Sequence, residues 1–226
     1  NNTAVGSDAL TANTTGTSNT AVGRESLLSN TTGANNVSLG LEAMKLNTTG
    51  DQNVAIGNDS LKNNSTADKN TAVGTNAMLE NSSGYENVAV GRNSLDANTT
   101  GYANVSIGES SLTSNTTGYR NTAVGQNTLA ACTEGLENTA VGQNALNDLT
   151  TGDYNVALGQ NSLATVTAPT KGLLVEGNVG IGQTNPSEKL HIDGNIKLGD
   201  GTIITDDQIY LSNDNNFHIQ TNSSGN

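Results

Sequence analysis

The sequence predicts an all-β protein: a parallel β-solenoid, or β-roll, of ten 17-residue coils, followed by a small β-rich neck or stalk. Three observations lead to this prediction. A phrase close to N-T-A-V-G recurs every 17 residues, each repeat carries turn-forming residues at fixed places, and only 3% of the 226 residues are aromatic. Since a compact domain normally relies on large aromatic side chains for buried area, these features favour a stack of repeated coils.

Glycine sets the period of the repeat. The glycine that closes each phrase is followed by the next one 17 residues later, without insertion or deletion. This regularity excludes a disordered chain for this part of the sequence. The glycines are Gly6, Gly23, Gly40, Gly57, Gly74, Gly91, Gly108, Gly125, Gly142 and Gly159.

An invariant asparagine lies four positions before each of these glycines. We expect these residues to form a ladder along the rod, because stacked side-chain amides can bond from coil to coil. A second asparagine recurs in seven copies, from Asn13 to Asn115. The invariant residues are Asn2, Asn19, Asn36, Asn53, Asn70, Asn87, Asn104, Asn121, Asn138 and Asn155.

Each repeat predicts a strand, a turn, a second strand and a second turn. N-[TV]-A-V is a short alternating run that glycine ends, and x-[AS]-L-x is a second short run. N-T-T-G predicts a turn, because Asn and Thr can bond their own backbone and Gly accepts a positive φ. A helix is disfavoured, since two glycines per repeat would each cost about 1 kcal/mol relative to alanine.

Two apolar columns run along the predicted rod. Successive coils lie about 4.8 Å apart, so ten coils span roughly 45 to 50 Å. One column is Val, Ile or Leu before each glycine, and the other is Leu or Met four residues after it. A coil this thin has little room for both inside, and a column left outside is an exposed apolar patch. We therefore expect copies of the chain to cover it in a homo-oligomer.

The 17-residue pattern weakens toward the end of the solenoid, which we place at residues 1–168. A β-rich neck or stalk is predicted for residues 169–226, after Pro169, with strand-like runs such as GLLVEG, KLHIDG, NIKLGDG, TIITDDQIYLS and NFHIQT. The residues that replace the second asparagine are Cys132, Leu149 and Val166.

Composition disfavours several function classes. The net charge of -12 opposes binding to nucleic acid or to an anionic membrane surface. No apolar run approaches the ~20 residues of a membrane helix, so membrane insertion is not expected. The single cysteine, Cys132, allows no intrachain disulfide. Because the chain begins inside a repeat without Met and without a visible signal peptide, we expect a fragment or a processed product.

No catalytic or cofactor-binding motif is present, so we expect neither an enzyme nor a cofactor. The Asp206-Asp207 pair is typical of a turn. Gly180 and Gly182 make a G-x-G fragment without a following helix. His191 and His218 each flank an isoleucine. In a trimer, three copies of a histidine facing the axis could hold a metal, but a surface or packed histidine is the favoured interpretation.

Tyr85, Tyr102 and Tyr119 are 17 residues apart, which predicts a three-rung column after the N-T-T-G turn. Exposed tyrosines can form a sugar-binding surface. The favoured interpretation is that they shield the turns and pack on each other. The asparagine and threonine ladders also resemble those of ice-binding solenoids, although here the paired threonines belong to a turn.

The repeat resembles a known family. The phrases NVAIGNDSL (Asn53–Leu61) and NVSIGESSL (Asn104–Leu112) are similar to the head repeat of YadA-type trimeric autotransporter adhesins. This resemblance implies a left-handed parallel β-roll that is trimeric, exposed to the exterior and adhesive. The 17-residue period is longer than that of the family's repeat.

A second resemblance covers Lys171–Gly201, KGLLVEGNVGIGQTNPSEKLHIDGNIKLGDG. It is similar to a segment of phage tail fibres and related surface fibres, which often precedes a self-cleaving intramolecular chaperone.

These residues and resemblances together predict a structural and adhesive fibre protein. The expected form is a homotrimeric phage or phage-like tail fibre, extracellular, that presents a host-surface-binding region to a cell-surface glycan or protein receptor. The alternative is the head of a bacterial trimeric surface adhesin. An ice-binding solenoid and a glycan-degrading tailspike are more distant alternatives, and the tailspike would require carboxylates clustered in a groove.

Overall fold

The computed structural model describes residues 1–164 and the backbone of three later strands, at 172–175, 179–181 and 190–192. This part of the chain is all-β and contains no helix, and therefore no helix that could cross a membrane. Short strands, one per coil, stack in parallel along the solenoid. The predicted parallel β-solenoid is thus confirmed.

The first eleven strands keep the predicted 17-residue register, and the last two follow at shorter intervals. They are β1 (Thr3–Val5), β2 (Thr20–Val22), β3 (Val37–Leu39), β4 (Val54–Ile56), β5 (Thr71–Val73), β6 (Val88–Val90), β7 (Val105–Ile107), β8 (Thr122–Val124), β9 (Thr139–Val141), β10 (Asn155–Leu158), β11 (Gly172–Val175), β12 (Val179–Ile181) and β13 (Leu190–Ile192).

One sheet contains β1 to β11 in chain order, and β12 pairs with β13 in a second, two-stranded parallel sheet. Within the large sheet every residue pairs with the residue 17 positions later, as Val88 does with Val105. The same offset joins β10 to β11, where Asn155 pairs with Gly172. The sheet therefore continues past residue 168 into the predicted neck. The runs NIKLGDG, TIITDDQIYLS and NFHIQT lie outside the described residues.

Coil positions run from 1, at the invariant asparagine, to 17, so β1 to β9 occupy positions 2 to 4, and β10 starts one residue earlier, at Asn155. The glycine at position 5 turns the chain, and its φ lies between 118° and 148°. At Gly74 an added Cβ would lie 2.5 Å from the carbonyl oxygen of Gly91 in the next coil. Both the backbone angle and the close approach explain why position 5 is always glycine.

The predicted second strand in each coil is wrong, because positions 6 to 11 form turns. Residues at positions 7 and 9 adopt φ values of 46° to 59°, as at Asn93 and Leu95. Such left-handed residues curl the chain and cannot continue a strand. Their backbone groups still bond between coils: the Leu95 N–H donates to the Ser111 carbonyl at 3.0 Å.

The interior is a narrow stack of small and medium side chains. The Leu or Met at position 9 is fully buried from Leu27 to Leu146. Alanine or serine lines the facing walls at positions 3 and 8, except that Thr128 occupies position 8 in one coil, so the walls can approach. Burying a leucine is worth about 1.5–3 kcal/mol, and this column supplies much of the apolar burial that large aromatic residues provide elsewhere.

Where serine replaces alanine at position 3 of the interior, its hydroxyl has a hydrogen-bond partner. Ser38 and Ser106 occupy position 3 in place of alanine, and both are fully buried. The Ser38 hydroxyl lies 2.7 Å from the Ser26 hydroxyl and donates to the Ala43 carbonyl at 2.8 Å. Ser94 makes the equivalent 2.7 Å contact with Ser106. A buried hydroxyl is therefore satisfied at both places.

Candidate functional site

The invariant asparagine closes each coil and joins it to the next. The Nδ2 of Asn87 donates to the Gly101 carbonyl in the same coil at 2.9 Å, and its Oδ1 accepts the backbone N–H of Asn104 at 3.0 Å. Asn87 is fully buried, as are its counterparts from Asn36 to Asn155. Because both polar ends bond internally, this ladder is structural and does not face a ligand.

The asparagine at position 12 forms a second internal ladder. The Nδ2 of Asn98 donates to Asn81 Oδ1 at 2.8 Å and to the Gly101 carbonyl at 3.0 Å. The Gly101 carbonyl therefore accepts one hydrogen bond from a side-chain amide of each ladder. The 17-residue recurrence of position 12 is visible in the sequence, but the shared carbonyl acceptor is not.

The second ladder stops at Cys132. The Oδ1 of Asn115 is buried and has no hydrogen-bond partner, because the next coil offers Cys132 where the earlier coils offer an amide. Burial raises the pKa of the Cys132 thiol to about 11. A buried thiol with a raised pKa is a poor nucleophile and metal ligand, so Cys132 is a packing residue.

The sheet presents an apolar face to solvent, here called the apolar stripe and defined as positions 2 and 4 of β1 to β10. Every residue of the stripe is Thr, Val, Ile or Leu. Its most exposed members at position 4 are Val5 (58%), Leu39 (44%) and Leu158 (43%). A chain of net charge -12 thus carries one long face without any charge.

The structure separates the two apolar columns that the sequence left equivalent. The Leu or Met column at position 9 lies inside the coils, whereas the Val, Ile or Leu column at position 4 lies outside. Since position 3 points inward, the alternation of a strand requires positions 2 and 4 to point outward. The outer column therefore remains available to another surface.

Tyr85, Tyr102 and Tyr119 form a parallel stack at position 16. The ring centroids of Tyr85 and Tyr102 are 5.0 Å apart, with planes 4° from parallel. Those of Tyr102 and Tyr119 are 4.7 Å apart at 7°. Most ring faces thus cover one another, so the three residues do not offer three separate aromatic platforms.

Ion pairs between coils cover the turns. Lys62 Nζ lies 2.7 Å from Glu42 Oε2, and Lys45 Nζ lies 2.6 Å from Glu25 Oε2. Hydrogen bonding to Lys62 lowers the pKa of Glu42, and hydrogen bonding to Glu25 raises the pKa of Lys45. These charges neutralise one another, so this cluster is not a site for a charged ligand.

The threonines of the N-T-T-G turn divide into two columns. At position 13 the hydroxyl donates to the carbonyl of the next coil, as Thr31 does to Thr48 at 3.0 Å. Position 14 is exposed, as at Thr49, Thr100 and Thr117. One hydroxyl of each pair is therefore used within the solenoid, which weakens the comparison with ice-binding solenoids.

The described residues contain no group of three or more His, Cys, Asp or Glu side chains placed to hold a metal ion. Burial and the nearby Glu80 raise the pKa of Asp96, but this carboxyl has no partner arrangement for acid–base chemistry. His191 lies in β13, where only the backbone is described. His218 and the Asp206-Asp207 pair lie outside the described residues.

Comparisons with family models, with curated proteins and with solved structures find no match to this chain.

Proposed function

We propose that this chain is a structural and adhesive fibre protein, in which parallel copies pack along the apolar stripe and present a receptor-binding surface. The apolar stripe is the observation that carries the proposal. A face with exposed residues such as Leu39 and Leu158 is costly in water. Its length and lack of charge suit a partner that is equally long and apolar, which another copy of the same chain provides.

The internal bonding of the coils supports a mechanical role. Backbone hydrogen bonds join neighbouring coils in the turns as well as in the strands, as from Glu137 to Tyr119 at 3.0 Å. Two buried asparagine ladders add side-chain bonds between coils, from the Asn104 N–H to Asn87 Oδ1 and from Asn98 Nδ2 to Asn81 Oδ1. Stacked contacts of this kind give a rod of defined length, and several rods held in parallel multiply weak surface contacts through effective concentration.

The number of copies and the biological setting come from the two resemblances in the sequence. The adhesin-head resemblance implies three chains outside the cell, and the segment Lys171–Gly201 favours a phage or phage-like tail fibre that contacts a host cell-surface glycan or protein. The phrase NVAIGNDSL supports the alternative of a bacterial trimeric surface adhesin. The sequence flanking this chain separates the two: a virion-attachment domain indicates a fibre, and a membrane barrel indicates an adhesin.

The test of assembly places charge on the stripe. Ile56 and Ile107 are 37% and 39% exposed in the single chain, so the double variant Ile56→Asp, Ile107→Asp should fold as a monomer. The matched control puts the same charges on the exposed position-14 column, as Thr49→Asp, Thr100→Asp. Light scattering coupled to size exclusion should give a trimer for the wild-type chain and the control. A wild-type chain that is a stable monomer would refute the proposal.

The test of adhesion is binding of the fluorescently labelled wild-type chain to intact bacterial cells. We expect saturable binding that unlabelled protein displaces and that the monomeric double variant largely loses, because multivalency is lost with assembly. An assembled wild-type chain that binds no cell surface across a broad strain panel would contradict the adhesive part of the proposal and leave a purely structural fibre.

A further inference from the structure

The tyrosine stack has one open end. Tyr85 is the first ring of the stack and is 44% exposed, whereas Tyr102 and Tyr119 are half-buried. One face of the Tyr85 ring covers Tyr102. The residue at the same coil position one coil earlier is Asp68, whose side chain is too short to cover the other face. The outer face of the Tyr85 ring is therefore open to solvent. The drop in height from Tyr85 to the shorter Asp68 is called the Tyr85 step.

The carboxylate of Asp68 lies beside this step without filling it. Its Oδ1 accepts the backbone N–H of Asp51, in the preceding coil, at 2.7 Å, so the carboxylate is drawn away from Tyr85. Asp68 remains exposed and can accept further hydrogen bonds. The ion pair of Lys69 and Glu86, at 3.3 Å, occupies the adjacent position 17 of the same two coils and borders the step.

The opposite end of the stack is closed. The guanidinium of Arg120 lies over the Tyr119 ring, 5.8 Å from its centroid, and is held there by Glu137 at 3.1 Å. The next residue of the column is Leu136, a bulky apolar side chain. The stack thus offers one free aromatic face, with a carboxylate and an ion pair next to it.

We propose that the outer face of Tyr85, together with Asp68, binds a neutral pyranose residue of a surface glycan. The inference rests on the proposed adhesive function and specifies its ligand. A pyranose has an apolar face of C–H groups, which packs on an aromatic ring, and hydroxyls at its edge, which donate to a carboxylate. The Tyr85 step presents these two chemistries side by side.

The negative charge of the chain disfavours anionic glycans. With a net charge of -12, and with Asp68 at the step itself, an anionic sugar would be repelled. The nearby cation, Lys69, is already paired with Glu86. The step therefore favours a neutral hexose over a sialic acid or a phosphorylated sugar.

The test uses a matched pair of variants, Tyr85→Leu and Tyr119→Leu, in the intact protein. Leucine occupies this coil position naturally at residue 136, so both substitutions are compatible with the column. Tyr85→Leu removes the open face and covers Tyr102, whereas Tyr119→Leu leaves the Tyr85 step intact. A third variant, Asp68→Leu, fills the step and removes the carboxylate.

Saturation-transfer NMR with the methyl glycosides of glucose, galactose, mannose and N-acetylglucosamine gives the readout. We expect transfer to at least one of them at millimolar concentration, with binding about three- to tenfold weaker in Tyr85→Leu and Asp68→Leu and unchanged in Tyr119→Leu. Equal signals in all four proteins, or no transfer to any glycoside, would overturn the inference.

Failure of the proposed sugar site can be distinguished from failure of the proposed function. If the wild-type chain assembles and binds cells, but Tyr85→Leu binds them equally well, the proposed sugar site at Tyr85 is wrong and the proposal of an adhesive fibre is unaffected. If the wild-type chain fails to bind cells at all, the adhesive part of the proposed function fails. Circular dichroism of each variant confirms that the solenoid remains folded.

Discussion

At the residue scale, each buried asparagine of the first ladder holds two coils at once. Asn87 satisfies the Gly101 carbonyl in its own coil and the Asn104 N–H in the next. The Gly101 carbonyl has a second donor in Asn98, but the Asn104 N–H relies on Asn87 Oδ1 to accept its hydrogen bond. The unpaired N–H is therefore the main consequence of losing this side chain.

We expect Asn87→Ala to lower the free energy of unfolding by about 1–3 kcal/mol, the cost of a buried polar group left without a partner. Chemical denaturation measures this change. The control is Gln143→Ala, which truncates an exposed amide that bonds to Gln126 and should change stability by less than about 0.5 kcal/mol. Equal effects of the two substitutions would show that the ladder contributes no more than a surface amide.

Cys132 predicts a dependence of stability on pH. Burial raises its thiol pKa from 9.0 to about 11. Below pH 9 the thiol is protonated in both states and its contribution is fully present. Between pH 9 and 11 the unfolded thiol ionises while the folded thiol does not, so stability falls as pH rises. The loss over this window is on the order of 2–3 kcal/mol.

The comparison with Cys132→Ala isolates this effect, because every other titratable group is the same in both proteins. We expect the difference in unfolding free energy between the wild-type chain and Cys132→Ala to shrink from pH 8 to pH 11. A difference that stays constant across this range would mean that the thiol is accessible to solvent in the folded state.

At the scale of the element, the coil depends on the turn that follows each strand. Gly74 has a φ of 136°, and a Cβ there would meet the Gly91 carbonyl oxygen at 2.5 Å. Both obstacles are backbone, so the structure cannot relax by rotating a side chain. We expect Gly74→Ala to destabilise the chain by more than about 3 kcal/mol in denaturant unfolding.

The matched control for this glycine is its neighbour. Thr75 is exposed, so Thr75→Ala should remain within about 0.5 kcal/mol of the wild-type chain. A mild effect of Gly74→Ala would show that the coils can separate locally to admit a methyl group.

The sequence predicted the strand and its closing glycine correctly but not the rest of the coil. Alternation and turn residues are local signals, and they place β1 to β10 without further information. The segment around Leu95 was predicted as a second short strand from the run x-[AS]-L-x, and the prediction missed the turn signal of Asn or Asp at position 7, as at Asn93. Leu95 has a left-handed φ of 54° and a fully buried side chain, so burial in the interior offsets the cost of this backbone angle. Such a tertiary effect overrides local propensity.

At the scale of the whole molecule, the sequence could not decide which apolar column lies inside. Val90 and Leu95 belong to columns of similar hydrophobicity, and only the closure of the coil places Leu95 in the interior and Val90 at the surface. The tyrosine stack was easier to predict, because identical residues at the repeat spacing must lie above one another. The closed end of the stack could not be predicted from the repeat. Arg120 covers the Tyr119 ring there, and an ion pair with Glu137 in the next coil holds Arg120 in place.

Assembly along the apolar stripe makes stability depend on concentration. A chain that folds and associates is stabilised by mass action, so the midpoint of thermal unfolding should rise with protein concentration. The variant Ile56→Asp, Ile107→Asp cannot bury its charges in an interface, and its midpoint should be independent of concentration. Differential scanning calorimetry across a hundredfold dilution series measures both. A concentration-independent midpoint in the wild-type chain, together with full reversibility, would mean that the stripe stays in water and would refute the proposed assembly.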